Sequence, residues 1–296
     1  MDASPLKWVH PWFLAARPKT LVASFVPVAV GAALAYEDSG EFAVPLLVMA
    51  LLFSFLIQIG TNFSNDYFDD LRGADRVRKL GPLRAVSSGM IKPEDMKKAS
   101  LWVLFVAFCI GLALMEISGA DRQLLWVGIS SVFFAIVYTG GPFPLAYNAL
   151  GDLFVLLFFG FVAVCSTHYV LVCGAGQDWE PNWVVPLGVG FVINNLLVVN
   201  NTRDHEEDKV VGKRTLVVLL GRGFGLFLYA MGLSVATLLC PILEPMIWRV
   251  VWLFPIGVFC LVKLSGAKRR RDYGRTLGLT AMMIVLYGTL VVIAFL

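Results

Sequence analysis

The chain has 296 residues, of which 58% are hydrophobic and only 15% charged, and its mean hydropathy is +0.77. Soluble domains hold about 45–50% apolar and about 25% charged residues, so a soluble fold, a disordered chain, a collagen and a coiled coil are all excluded. The formal charge is +3, from 24 Lys and Arg against 21 Asp and Glu, an excess that argues neither for nor against nucleic acid.

Crossing about 30 Å of hydrocarbon takes about 20 apolar residues. Runs of that kind lie near 18–36, 43–63, 99–117, 122–139, 148–173, 183–201, 215–241, 247–264 and 276–296. They lack the period-two alternation of a membrane barrel, so only a helical bundle satisfies their backbone hydrogen bonds in lipid. The expected fold is an all-α integral membrane protein of nine transmembrane helices, forming one domain over 1–296. With nine spans, 22 of the 24 Lys and Arg fall on one side, leaving only Arg122 and Arg249 opposite. Positive charge marks the cytoplasmic side, so the N-terminus is expected in the cytoplasm and the C-terminus outside. The first 16 residues lack the features of a secretory signal, and no cleavage is expected. Five cysteines in apolar stretches, without CxxC spacing, read as packing residues rather than disulfides or a zinc site.

The acid is distributed unevenly. Ten of the 21 acidic residues fall in two loops on the positive side. One loop contains Asn65-Asp66-Tyr67-Phe68-Asp69-Asp70 and then Asp75; the other runs Asn200-Asn201-Thr202-Arg203-Asp204-His205-Glu206-Glu207-Asp208. Each begins where an apolar helix ends, so its first residues are expected to continue that helix. Residues four apart share a helical face, which aligns Asn65 with Asp69, and Asn200 with Asp204 and Asp208. The repeated N-x-x-x-D follows spans two and six, placing both copies on one side of the membrane. Clustered carboxylates persist where a cation neutralises them, and hard oxygen donors suit Mg²⁺, which commonly bridges one or two carboxylates to a phosphate-bearing substrate. Arg72, Arg76, Arg78, Lys79 and Arg84 flank the first set, and Arg203, Lys209, Lys213 and Arg214 the second. Carboxylate, Mg²⁺ and Arg or Lys together can hold a diphosphate. The blander alternative, solvated loops of paired charges, fits one loop well but not two with matching spacing.

At this point the residues resemble a known family. N-D-Y-F-D-D-L-R-G-A-D, then L-G-P-L-R-A-V-S-S-G, then Y-T-G-G-P-F-P-L-A-Y-N-A-L-G-D, then N-N-T-R-D-H-E-E-D-K-V-V-G-K-R-T are similar to the motif blocks of the UbiA superfamily of intramembrane prenyltransferases. Within it they look like the subgroup of menaquinone biosynthesis that prenylates 1,4-dihydroxy-2-naphthoate. Relatives acting on 4-hydroxybenzoate usually carry a basic pair between spans four and five, and Gly140 to Asn148 contains none. Position 73 is Gly where some members have Asp, and Asp75 is expected to take that role.

The resemblance implies transfer of a polyprenyl group from polyprenyl diphosphate to that aromatic acceptor, with loss of its carboxylate, at the cytoplasmic side of a bacterial inner membrane. The partners expected are these two substrates and the bilayer, with no nucleic acid. Asn65 and Asp69 are expected to bind one Mg²⁺, and Asp204 and Asp208 another, with Asp66 and Asp75 in support. Arg84, Lys79, Arg203 and Arg17 are the expected phosphate contacts, with Asn201 beside them. An aromatic face stabilises an allylic cation, which brings forward Tyr67, Tyr138 and Tyr147. Asp152, inside an apolar run, is a functional candidate by its depth or a helix cap by its position. His168 reads as a satisfied packing residue. The main alternative is a sibling prenyltransferase with the same metal site and another aromatic acceptor, such as homogentisate or a chlorophyll precursor; a divalent-cation carrier fits less well, because transporter sites lie near the bilayer midplane on broken helices.

Overall fold

A computed structural model describes residues 6–75, 80, 81 and 83–296. Their regular structure is helical apart from one isolated backbone pairing of Asn148 with Arg214. In chain order the helices are α1 (Leu6–Ala16), α2 (Val22–Ser39), α3 (Val44–Leu71), α4 (Pro93–Ser118), α5 (Leu124–Val137) and α6 (Gly151–Gly174). Then follow α7 (Val184–Val210), α8 (Leu216–Leu220), α9 (Arg222–Leu243), α10 (Pro245–Gly266) and α11 (Arg270–Ala294).

Among the described residues, seven helices are long and apolar enough to cross a bilayer: α3, α4, α6, α7, α9, α10 and α11. The protein is a multi-pass membrane protein. The other two expected runs take different forms. The first is broken, with His10–Thr20 and Val22–Ser39 meeting at 49°. The break has a local cause: Pro18 disfavours helical backbone at the residue before it, and Arg17 is left-handed at φ 52°. The fourth run yields only the 14 residues of α5, about 21 Å at 1.5 Å per residue. Past α5 the chain turns back at Gly141 and packs against itself, the Ala146 N–H donating to the Tyr138 carbonyl at 2.9 Å. The seventh run, expected from 215, starts as a full helix only at Arg222. Gly221, at φ 87°, separates it from short α8, whose Thr215 hydroxyl caps the Val218 N–H at 3.2 Å.

The bundle is organised around α7. Two-thirds (67%) of its apolar window is buried, against 17% in α3. Val185, Val189, Val192 and Ile193 of α7 pack with Leu233 of α9 and with Met283, Ile284 and Tyr287 of α11. α3 and α4 form a hairpin in which the Ser100 hydroxyl donates to the Gly60 carbonyl at 3.0 Å. α6 and α7 meet at two glycines: a Cβ on Gly160 would stand 2.7 Å from the Pro186 carbonyl oxygen and 3.0 Å from the Gly190 Cα. The obstacle is backbone, which cannot rotate aside, and it lies where α6 passes through a π-helical turn, Leu156–Val162. At the end of α6 remote from Asp152, the His168 Nε2 meets an Asp38 carboxylate oxygen at 2.6 Å and the Trp179 indole donates to Nδ1 at 3.1 Å. That histidine is a satisfied packing residue, as its isolation in the sequence implied.

The close approach of α6 and α7 makes a prediction. Gly160→Val should destabilise the protein by about 1–3 kcal/mol, the usual cost of overpacking. Gly223→Ala, which meets nothing within 4 Å, should leave stability unchanged or raise it by up to about 1 kcal/mol. Thermal unfolding of the two purified variants in one detergent tests the contrast, and equal melting temperatures would refute it.

Candidate active site

Both acidic segments are helical. α3 carries Asn65, Asp66 and Asp69 to its final turns, and α7 carries Asn201, Arg203, Asp204 and Asp208. Helical spacing puts the Asn and Asp of each segment on one face, and both faces turn inward. Asp66 is 1% exposed, Asp69 3%, Asp204 5% and Asp208 3%. Asn65, Asp66, Asp69, Asn200, Asn201 and Asp204 all line one cavity of about 1070 Å³. Its polar end also receives Arg17, Lys19, Arg84, Arg203 and Lys213, while its deeper walls are largely apolar, with Phe53, Phe108, Phe134, Phe154 and Phe158 among them.

Buried carboxylates are costly unless paired, and each of these has a partner. The Arg203 guanidinium grips Asp204 with two parallel bonds, at 2.6 and 2.7 Å. The Lys213 ammonium is 3.5 Å from Asp208. Arg84 reaches Asp75 at 3.3 Å and Asp69 at 3.8 Å. Asp66 accepts the Ala85 N–H at 3.1 Å; its Oδ1 is buried and has no hydrogen-bond partner. Thr139 donates to the Asn65 side-chain oxygen at 2.8 Å, and Tyr147 donates to Asp69 at 2.8 Å.

Tyr147 joins the two segments. Its hydroxyl is on Asp69, while its ring lies 5.5 Å from the Lys213 ammonium that serves Asp208 and 5.1 Å from the Arg72 guanidinium. Arg72 in turn donates to the Thr139 carbonyl and, at 2.7 Å, to the Gly141 carbonyl. The Arg214 N–H donates to the Tyr147 carbonyl at 3.0 Å. A further tie is Glu207, which accepts the Leu80 N–H at 3.3 Å. Burial, followed by the Asp69 charge, pushes the Tyr147 phenol well above its ordinary range. It therefore remains a donor at every physiological pH.

Several expected residues stand elsewhere than the sequence suggested. Tyr67 is two residues from Asp69, about 200° round the helix, and packs against the cluster of Ala15, Phe63 and Met96 rather than lining the cavity. Tyr147 has its ring beside two cations and is also absent from the cavity wall, so of the three tyrosines only Tyr138 faces the cavity. Asp75 and Asp208 stand behind that wall on their cationic partners. Glu207, at the end of α7, is tied to the loop after α3. Lys79 lies outside the described residues, as do Arg76 and Arg78. Thr139, Lys19 and Arg270 are among the polar lining residues that the sequence did not bring forward as site groups. Arg270 belongs to a basic run that reads as a headgroup patch. Only the approach of α11 to the mouth separates it from its neighbours.

Among the described residues no three His, Cys, Asp or Glu side chains converge tightly enough to hold a metal by themselves. The donors are nevertheless hard oxygens around one mouth. An ion that takes one or two carboxylates and completes its shell with water and phosphate suits them, as Mg²⁺ does.

Fold and site together define an intramembrane protein with a charged, anion-holding mouth over an apolar chamber. The UbiA prenyltransferase family pattern matches residues 24–293. The 1,4-dihydroxy-2-naphthoate octaprenyltransferase of Haemophilus influenzae is 34% identical to this chain over 77% of it and 74% of the relative. That of Escherichia coli is 36% identical over 75% and 72%. Among solved structures, a UbiA homologue from Archaeoglobus fulgidus bound to DMAPP and Mg²⁺ superposes with a TM-score of 0.64 at 15% identity, covering 95% of this chain and 98% of that one. An apo UbiA homologue from Aeropyrum pernix K1 gives 0.67 at 14% identity, over 94% and 98%. The chain belongs to the UbiA prenyltransferase family.

The position of Tyr147 is testable without an assay of activity. Tyr147→Phe removes a bond to a buried carboxylate and should cost about 1.5–3 kcal/mol. Because folding raises this phenol's pKa, its contribution is complete below the unfolded tyrosine value, about 10, and is lost as pH rises beyond it. Melting curves at pH 7 and pH 11 should therefore differ more between wild type and variant at the lower pH. An equal gap at both values would refute the assignment.

Proposed function

We propose that the protein transfers a polyprenyl group from polyprenyl diphosphate to 1,4-dihydroxy-2-naphthoate, releasing diphosphate and CO₂ and yielding demethylmenaquinone. The observation that carries this reading is the meeting of two Asn/Asp faces at one charged mouth above an apolar chamber. It is supported by the naphthoate octaprenyltransferases of five bacteria, 33–36% identical to this chain.

Diphosphate leaves readily only when its charge is neutralised. Asn65, Asp66, Asp69 and Asp204 would hold Mg²⁺ at the mouth, while Asp208 stands behind them and positions Lys213. When bound, the ion supplies Lewis-acid stabilisation of the leaving oxygens. The chain's own contribution is distinct. Arg17, Arg84 and Arg203 bring donors to the phosphates, with Lys19 and Lys213 beside them, and Asn201 completes the polar rim. Tyr138, on the chamber side of Asp69, presents its ring to the allylic carbon as positive charge develops, an interaction of up to about 2 kcal/mol where water is excluded. The aromatic walls below exclude the water that would quench that cation to an alcohol.

The same reading places the enzyme in a bacterial plasma membrane. α1–α2 and α5 complete nine passes with the seven long helices, and the mouth faces the cytoplasm. The one-sided distribution of Lys and Arg supports this orientation. In a variant stripped of native cysteines, a membrane-impermeant thiol reagent on intact cells should label a cysteine added at the C-terminus and spare one added at the N-terminus. The reverse pattern would invert the topology.

The activity has a direct test. With Mg²⁺, the purified protein should couple a polyprenyl diphosphate to 1,4-dihydroxy-2-naphthoate, release CO₂, and prefer that acceptor to 4-hydroxybenzoate offered beside it. Asp69→Ala and Asp204→Ala should each lower turnover by at least about a hundredfold, as loss of a group stabilising the leaving charge does, while the protein remains folded. Full turnover in both variants would remove the metal assignment, and preference for the benzoate would remove the acceptor.

A further inference from the structure

One carboxylate in the chamber has no part in this scheme. Asp152, in the first turn of α6, is 9% exposed and lines the same cavity as Asp69 and Asp204. The Asn194 amide donates to it at 3.1 Å, and the Asn194 side-chain oxygen is itself buried without a hydrogen-bond partner. Asn194 and Asn201 are seven residues apart on α7, two turns and about 10 Å along one face. Asp152 therefore stands well inside the mouth, beside Phe154 and Val155 of the chamber wall. The Tyr138 hydroxyl comes over the same helix end, where a Cβ on Gly151 would lie 3.2 Å from it. A carboxylate at such depth is expensive to keep, and an apolar prenyl chain gives it nothing to bind.

We propose that Asp152, held in place by Asn194, receives a hydrogen bond from a ring hydroxyl of the aromatic acceptor. This deepens the reaction proposed above and rests on it. The charge pattern selects the hydroxyl. The acceptor's own carboxylate is repelled by Asp152 and drawn to the cations of the mouth, so the hydroxyl remote from that carboxylate points inward. Held at both ends, the ring has one orientation, and one edge faces the prenyl carbon at the mouth. Asp152 thus sets acceptor specificity and leaves the diphosphate alone.

The experiment pairs a residue deletion with a substrate deletion. Wild type and Asp152→Asn are assayed with 1,4-dihydroxy-2-naphthoate and with 1-hydroxy-2-naphthoate, which lacks the remote hydroxyl. In the wild type, losing that hydroxyl should lower kcat/KM by about tenfold or more, the value of a bond to a charged group. In Asp152→Asn the gap between the two acceptors should shrink to about twofold, while the KM for polyprenyl diphosphate stays unchanged. Asp152→Glu should restore part of the discrimination. If Asp152→Asn does not fold, Asn194→Ala, which keeps the carboxylate but frees it, should narrow the same gap by a smaller factor. An unchanged ratio between the acceptors, or a uniform loss on both with a lowered melting temperature, would reduce Asp152 to a helix cap and overturn the inference. Failure of the wild type to use either naphthoate would instead sink the reaction itself, so the two failures are distinguishable.

Discussion

The structure depends on the need to neutralise anions where water is scarce. Four acidic side chains below 10% exposure (Asp66, Asp69, Asp204 and Asp208) stand at the ends of two apolar helices. An uncompensated charge there would shift its equilibrium or disrupt the packing. The chain meets this with short-range partners drawn from different segments: Arg203 from α7 itself, Arg84 from the loop after α3, Lys213 from the loop after α7, and the Tyr147 hydroxyl from the loop after α5. Arg203 braces its neighbour within α7, while the Arg84, Lys213 and Tyr147 contacts each fasten a loop to a helix end. The charged mouth is therefore the joint that holds the bundle's functional end together as well as the place where chemistry is proposed.

The broken first span fits the same logic. A continuous helix through Arg17 would have kept its guanidinium on the helix surface at the level of the lipid. The Pro18 corner and the left-handed backbone of Arg17 turn the chain instead, and Arg17 and Lys19 join the cavity wall. A non-glycine residue in that backbone region costs on the order of 1–2 kcal/mol, and tertiary contacts around it must hold it there. Short α5 works in a comparable way. By ending as a helix after about 21 Å, it hands the chain to the loop that delivers Thr139 to Asn65 and Tyr147 to Asp69.

Much of this was legible in the chain. Composition excludes everything but a helical membrane protein, and the i, i+4 spacing of Asn65 with Asp69 and of Asn200 with Asp204 puts the right oxygens on one face. What escaped has a common cause. Apolar run length reports where a helix could lie in lipid, but the stops at Val137 and Gly221 depend on local turns and on what packs above them. Tyr67 shares a motif with Asp69 yet faces away, since adjacency in sequence is no guide to a helical face. Tyr147 is brought forward as a ring for the cation, whereas its hydroxyl and its ring are engaged by Asp69, Arg72 and Lys213, all distant in sequence. Glu207 at the end of α7 meets the Leu80 N–H of the loop after α3, a contact that spacing along one helix does not announce.

The pairing of resting charges also bears on how a diphosphate could be accommodated. Arg203 holds Asp204 with two bonds and Arg84 stands 3.3 Å from Asp75 and 3.8 Å from Asp69, so a phosphate group arriving at the mouth does not find these two guanidiniums bare. It meets cations already desolvated and oriented, which it can share or take over if the carboxylates turn to a divalent ion arriving with it. Such an exchange replaces one anion–cation contact by another and leaves the number of buried charges without a partner nearly unchanged. A diphosphate arriving without the ion would have to compete with Asp204 for Arg203 and with Asp69 and Asp75 for Arg84, and would leave carboxylates stranded in a low-dielectric site. Metal and substrate are therefore expected to bind with positive coupling, each favouring the other by the same factor. The origin of that coupling is the ion-pair arrangement of the protein before either arrives.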